Sequence, residues 1–159
     1  MNALIKLFFT VRDKFTWLPL FIARISVGLF FAISGFNKLF VAANQKQILD
    51  TLIQAGIPLP HFQAIFVPAI EFIGGILLTL GIFSPIISII LFILIGVAIG
   101  SDAIHKIPAG LNFFEWLDYF IYLPEVLLAI LLLFFIFRGA GCISFDALMY
   151  KNWIKKHNR

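Results

Sequence analysis

Cysteine occurs once, at Cys142, so no disulfide can close within the chain and there is no CxxC pair for dithiol chemistry. Charge is also scarce. Only 13% of residues are Asp, Glu, Lys or Arg, about half the fraction usual in a soluble domain. Histidine is too sparse to mark a metal or haem centre. His61, His105 and Asp102 have no metal-ligand spacing, and His105 has no second histidine at similar depth within a span. Long-period repeats and low-complexity tracts are absent. Apolar residues are abundant: 62% of the chain is hydrophobic, with 20 Phe and a mean hydropathy of +1.04. This is the composition of an integral membrane protein made of spans and short loops, with no room for a separate soluble catalytic domain. The net charge of +4 does not point to nucleic acid. The basic residues gather toward the two ends, where membrane topology and anionic lipid account for them.

Four apolar runs, at about 18–39, 62–83, 85–104 and 119–137, are long enough to cross a bilayer, which takes ~20 residues. In lipid such runs must be helical, because exposed strand edges would leave backbone groups unpaired. The expected fold is therefore all-α, a four-helix transmembrane bundle formed by residues 1–159 as one membrane domain. Lys6, Arg12 and Lys14 precede the first run in the manner of a signal peptide. Arg24 interrupts the run and no small-residue cleavage site follows, so a retained span is expected. Gly81, Ser84 and Pro85 predict a tight turn, with Ser84 as N-cap and Pro85 at the first helical position. Pro124 is expected within the first turns of the fourth span. The segment at about 43–55 reads as an amphipathic helix lying in the interface, stopped by Gly56-Ile57-Pro58-Leu59-Pro60.

An even number of spans puts both ends on one side. That side carries Lys6, Arg12, Lys14, Arg138, Lys151, Lys155, Lys156 and Arg159, against Lys38, Lys46 and Lys106 in the opposite loops. The bias predicts cytoplasmic termini in a bacterial inner membrane.

The ionisable residues inside the runs carry most of the information. Glu71 is the only charged side chain from Ile65 to Ser101. A carboxylate there is costly unless it is paired, protonated or wetted. At 1.5 Å per residue it lies about 13 Å from the outer end of its run, Glu125 about 9 Å and Arg24 roughly 10 Å from the inner end. Lys38, Asn37, Asp102 and His105 fall near the outer ends of their spans. An outer polar layer results, with Glu71 and Glu125 as candidate catalytic, proton-exchanging carboxylates and Lys38, Asn37, Asp102 and His105 as candidate ligand-binding groups. Were Lys38 the partner of Glu71, the carboxylate would be ionised and chiefly structural. Were it Glu125, the two acids would share a proton. In the inner layer Arg24 is expected to form a structural ion pair with Asp146, the one acid within reach. Gly28 with Ala32, and Gly96 with Gly100, have the small-x-x-x-small spacing of close helix packing.

Several segments together resemble the DoxX family of four-span membrane proteins. They are Arg24 and Gly28, followed by Gly35-Phe36-Asn37-Lys38-Leu39; Gly56-Ile57-Pro58-Leu59-Pro60; Glu71-Phe72-Ile73-Gly74-Gly75 with Leu80-Gly81; and the tail Gly139-Ala140-Gly141-Cys142-Ile143-Ser144-Phe145-Asp146. Ala140 stands where the family's tail often has proline. The resemblance implies a four-span fold and an association with quinone-linked oxidoreductases or oxidant resistance. On that implication the chain is a membrane subunit that handles quinone or quinol. Quinone is then the cofactor or substrate, and a soluble oxidoreductase partner supplies the electrons. Two alternatives stand beside it: a small homo-oligomeric proton-coupled transporter or channel, and a non-catalytic scaffold for a soluble enzyme. The basic tail at 151–157 suits anionic lipid or a docked partner.

Overall fold

The computed structural model describes residues 15–157. Lys6, Arg12, Lys14 and Arg159, which enter the positive bias, lie outside these residues. All regular structure among the described residues is helical. Helix α1 is Trp17–Phe40, α2 Ala42–Gln54, α3 Pro60–Leu80 and α4 Ser84–Ser101. A 3₁₀ turn at Ala103–Lys106 follows, then α5 (Phe113–Tyr122), α6 (Pro124–Arg138) and α7 (Phe145–His157). Helices α1, α3 and α4, the last continued by the 3₁₀ turn, are each long and apolar enough to cross a membrane.

The fourth run departs from expectation. It is not one helix but two, α5 and α6, bent by 68°. The cause is Pro124, which has no N–H for a ladder and bars its predecessor from the helical region. Leu123 is accordingly extended, at φ −65° and ψ 124°. Alone, the 15 residues of α6 rise about 22 Å, short of the ~30 Å hydrocarbon layer.

Helices α1 and α3 pack most closely. The buried stripe of α1 is Arg24, Val27, Gly28, Phe31, Ala32 and Gly35, and that of α3 is Ala64, Pro68, Glu71, Gly74, Gly75 and Leu78. Each follows the three-and-four spacing of one helix face. A side chain at Gly35 would strike the Pro68 carbonyl at 2.6 Å, and one at Gly75 would strike the Gly28 carbonyl at 2.6 Å. The first small-residue pair thus does what its spacing predicts. The second does not: Gly96 and Gly100 face nothing within 4 Å. Val27, Phe31, Leu78, Leu91, Ile95, Leu132 and Phe135 fill the centre of the bundle. Lipid tails are as apolar as these side chains, so close fit and polar contacts hold the bundle together rather than the hydrophobic effect.

Helix α3 ends at Gly81, whose φ of 73° is left-handed. The Ile82 amide donates to the Leu77 carbonyl at 2.9 Å and the Gly81 amide to that of Leu78 at 3.1 Å, which is a Schellman closure. The expected Ser84 cap is absent. Ser84 is already the first residue of α4, and Phe83 occupies the cap with a left-handed backbone. The free amides of Phe83 and Ser84 instead donate to the Asp146 carboxylate, at 2.8 and 3.0 Å.

Candidate functional site: a polar cavity at the loop end of the bundle

The two ends of the bundle use their buried charges differently. At the end carrying the termini, Arg24 is 2% exposed. Its Nη1 donates to the Ala140 carbonyl at 2.6 Å and its Nη2 to the Ile143 carbonyl at 2.7 Å. The expected Arg24–Asp146 ion pair is therefore corrected. The guanidinium holds tail carbonyls, while Asp146 caps α4 and its own amide donates to the Gly81 carbonyl at 3.0 Å. The Asp146 charge still acts on the guanidinium through space. Ser144 tightens the tail, its hydroxyl donating to the Gly141 carbonyl at 2.8 Å and accepting from the Ala147 amide at 3.1 Å. Arg24, Gly81 and the 139–146 tail form one latch.

At the opposite end, Lys38 on α1 and Glu71 on α3 pair directly. Nζ lies 2.7 Å from one carboxylate oxygen and 3.0 Å from the other. Each lies at a depth its helix dictates, Lys38 in the last turn of α1 and Glu71 midway along α3. The close α1–α3 seam brings their side chains within hydrogen-bonding distance. The Glu71 side chain is 11% exposed and that of Lys38 32%. Glu71 thus faces the interior with a cationic partner.

This pair lies on the wall of a cavity of about 530 Å³, within the range of small-molecule sites. Four helices contribute. Helix α1 provides Ser34, Asn37 and Lys38; α2 provides Asn44, Gln47 and Thr51; α3 provides Gln63, Val67 and Glu71; α4 provides Leu94, Val97 and Ser101, with Asp102 beyond its end. The lining is amphipathic, with carboxamides and hydroxyls around the ion pair and aliphatic side chains from α2 (Ile48 and Leu52), α3 and α4. Helix α2 has no buried residue and covers the cavity with Asn44, Gln47 and Thr51. Its Asn44 side chain reaches the Asn37 carbonyl at 3.4 Å, a weak bond that links the cover to α1.

The structure thus gathers Glu71, Lys38, Asn37 and Asp102 in one cavity and leaves two other candidates outside. Glu125 is in the first turn of α6 and does not line the cavity. It is not the proton-sharing partner of Glu71, because the α5–α6 break begins α6 away from the α1–α3 seam. His105 is exposed in the 3₁₀ turn. Asp102 spends its charge on Lys106, at 2.6 Å in a half-exposed pair. No group of three or more His, Cys, Asp or Glu among the described residues could hold a metal.

Sequence reasoning missed Gln63, Asn44, Gln47 and Thr51. A usable signal existed, since Gln63, Val67 and Glu71 are spaced by four, and Gln47 and Thr51 likewise, so each set shares a helix face. The aromatic residues, by contrast, contribute nothing to the lining. Phe36, Phe40 and Phe72 cluster together, and Phe62 stacks on Phe66 at 5.0 Å. Most of these rings lie on the outer surface of the bundle.

Among curated proteins and among solved structures, the comparisons find no match to the chain. The DoxX family model matches residues 19–104. That stretch takes in Arg24, the α1–α3 seam, the Lys38–Glu71 pair and the whole cavity lining, and stops before His105, Glu125 and the tail. It is more than half of the sequence, and the chain belongs to the DoxX family.

Proposed function

We propose that the chain is a membrane subunit that binds a quinone or quinol in the α1–α4 cavity and serves a soluble oxidoreductase. The observation that carries this reading is the amphipathic cavity with the Lys38–Glu71 pair in its wall. A quinone has the matching chemistry, with polar oxygens on the ring edge and an apolar tail. Lys38 has three donors and gives two to Glu71, leaving one for a ring carbonyl. Glu71 keeps lone pairs that can accept from a quinol hydroxyl. Asn37, Asn44 and Gln63 both donate and accept, so they suit either redox form. The ring is then gripped at its edge, because no aromatic side chain is present to stack on its face.

Reducing a quinone takes two electrons and two protons. In this reading the partner enzyme supplies the electrons, and the protons reach the ring oxygens through the cavity. Glu71 acts as a single carboxylate balanced by Lys38 rather than as half of an acid pair. The positive bias of the loops supports termini and latch on the cytoplasmic side of a bacterial inner membrane.

The test is to purify the protein in mild detergent, extract it with organic solvent and search the extract for quinone by mass spectrometry. Stoichiometric quinone from the wild type, and little from Lys38→Met/Glu71→Leu, is the expected result. A wild-type protein that carries no quinone and does not bind an added decyl-tailed dimethoxybenzoquinone refutes the proposal.

A further inference from the structure

The ligand's route into the cavity can be read from one side chain. Val97 lines the cavity and is also 55% exposed. It stands where the cavity meets the apolar face of α4. Ile86, Ile89 and Ile93 are exposed on that same face. The face belongs to a helix apolar enough to cross a membrane, so what lies outside Val97 is acyl chain rather than water.

Three further features fit an opening there. Helices α3 and α4 touch near their shared turn, where a side chain at Gly74 would meet Leu91 at 3.2 Å. Farther from the turn, the cavity separates Gln63, Val67 and Glu71 on α3 from Leu94, Val97 and Ser101 on α4. Gly96 and Gly100, beside Val97 on α4, have nothing within 4 Å of where a Cβ would sit, so this stretch of α4 adds no side-chain bulk next to Val97. Finally, the lining is polarised. Lys38, Asn37 and Glu71 gather at the α1–α3 seam, and the α3–α4 side supplies the apolar Val67, Leu94 and Val97 alongside the polar Gln63 and Ser101.

We propose that the cavity opens sideways into the bilayer between α3 and α4, past Val97, and that its ligand is an amphiphile whose headgroup meets Lys38 and Glu71 while its apolar tail leaves through this gap. The inference deepens the reading of the cavity as a binding site and adds a requirement that reading lacks. The tail, and not only the headgroup, contributes to binding, and loading occurs from the lipid.

Two measurements test it. The first compares binding of a decyl-tailed dimethoxybenzoquinone with its tail-less parent, in wild type and in Val97→Trp, each with a thermal unfolding control. The indole should block the gap, weakening the decyl compound by about tenfold or more beyond any loss of the tail-less compound, equivalent to about 1.4 kcal/mol. Equal loss of both, or loss of neither, overturns the proposal. The second does not depend on quinone. Val97→Cys in a Cys142→Ser background, reconstituted in lipid vesicles, should react with a long-chain alkyl maleimide and resist a charged, membrane-impermeant one. Preferential labelling by the charged reagent overturns the proposal. If wild type binds neither quinone, the proposed function falls, and the maleimide result alone decides the route.

Discussion

Arg24 and Lys38 are both cations in the same helix, and the structure gives them opposite work. Arg24 is sealed against two carbonyls of the tail, with no carboxylate among the described residues in direct contact. Lys38 meets a carboxylate head-on, in the wall of a space large enough for a ligand. Side-chain chemistry explains part of the division. A guanidinium presents several donors in a rigid fork, which suits two fixed carbonyls at once. An ammonium is a compact charge on a flexible stem, able to hold Glu71 and still offer a donor elsewhere. The surroundings explain the rest. Around Arg24, Gly81 is so crowded that a Cβ would lie 2.5 Å from Nη1 and 2.5 Å from the Ser144 Cβ. Around Lys38 there is open volume. One end of the molecule holds the chain together; the other can accommodate a ligand.

The sharpest way to break this contrast is to remove each cation in turn. Arg24→Met should destabilise the protein most, by about 3–5 kcal/mol, since two charge-assisted hydrogen bonds are lost and the buried Ala140 carbonyl is stranded. Unfolding in detergent by heat or denaturant measures the loss. Lys38→Met should cost about 2–3 kcal/mol, because it leaves a buried carboxylate unpaired, although the partial exposure of Lys38 limits the effect. Adding Glu71→Leu to Lys38→Met should return stability to within about 1 kcal/mol of wild type, because a buried ion pair can be replaced by well-packed apolar groups. Quinone binding by that double variant should nevertheless be lost. A stable double variant that still binds would show the pair to be structural, erasing the distinction between the two ends.

The smaller effects sharpen the same contrast. Asp146→Ala removes the carboxylate that caps α4 and should cost about 0.5–2 kcal/mol, the range for a lost N-cap. Binding should be unaffected, as a thermal scan and a quinone titration on one preparation would show. Asp102→Asn breaks only the half-exposed pair with Lys106 and should change stability by less than about 1 kcal/mol.

Several of these relationships were legible in the chain. The apolar runs, the glycine seam of α1 and α3, and the inward placement of Glu71 all follow from spacing and from the difficulty of leaving charge in lipid. Other relationships were not legible, for particular reasons. Asp146 could serve equally a guanidinium or a pair of amides, and the choice depends on where the tail lands relative to the Gly81 turn. Pro124 is tolerated in the first turn of a helix, so its presence alone does not say whether a span continues before it. Glu125 fell in the same outer layer as Glu71, though at a shallower depth, only while the fourth run was counted as a straight helix, and the 68° break removes that reckoning.

What the amino-acid sequence determined by itself is that this chain is helical and membrane-embedded, and that its few buried charges need partners. Those conclusions rest on composition, run length and the expense of exposing polar groups to hydrocarbon, which are properties of segments. Only the tertiary structure decided which partners meet. Lys38 and Glu71 are 33 residues apart, and Arg24 and Ile143 are 119 apart. A helix fixes neighbours three and four residues away and says nothing about which distant residue a neighbouring helix presents. The cavity depends even more on assembly, since it belongs to no segment. It is the space lined by α1, α3 and α4 with α2 as its cover, and its carboxamides come from three separate helices.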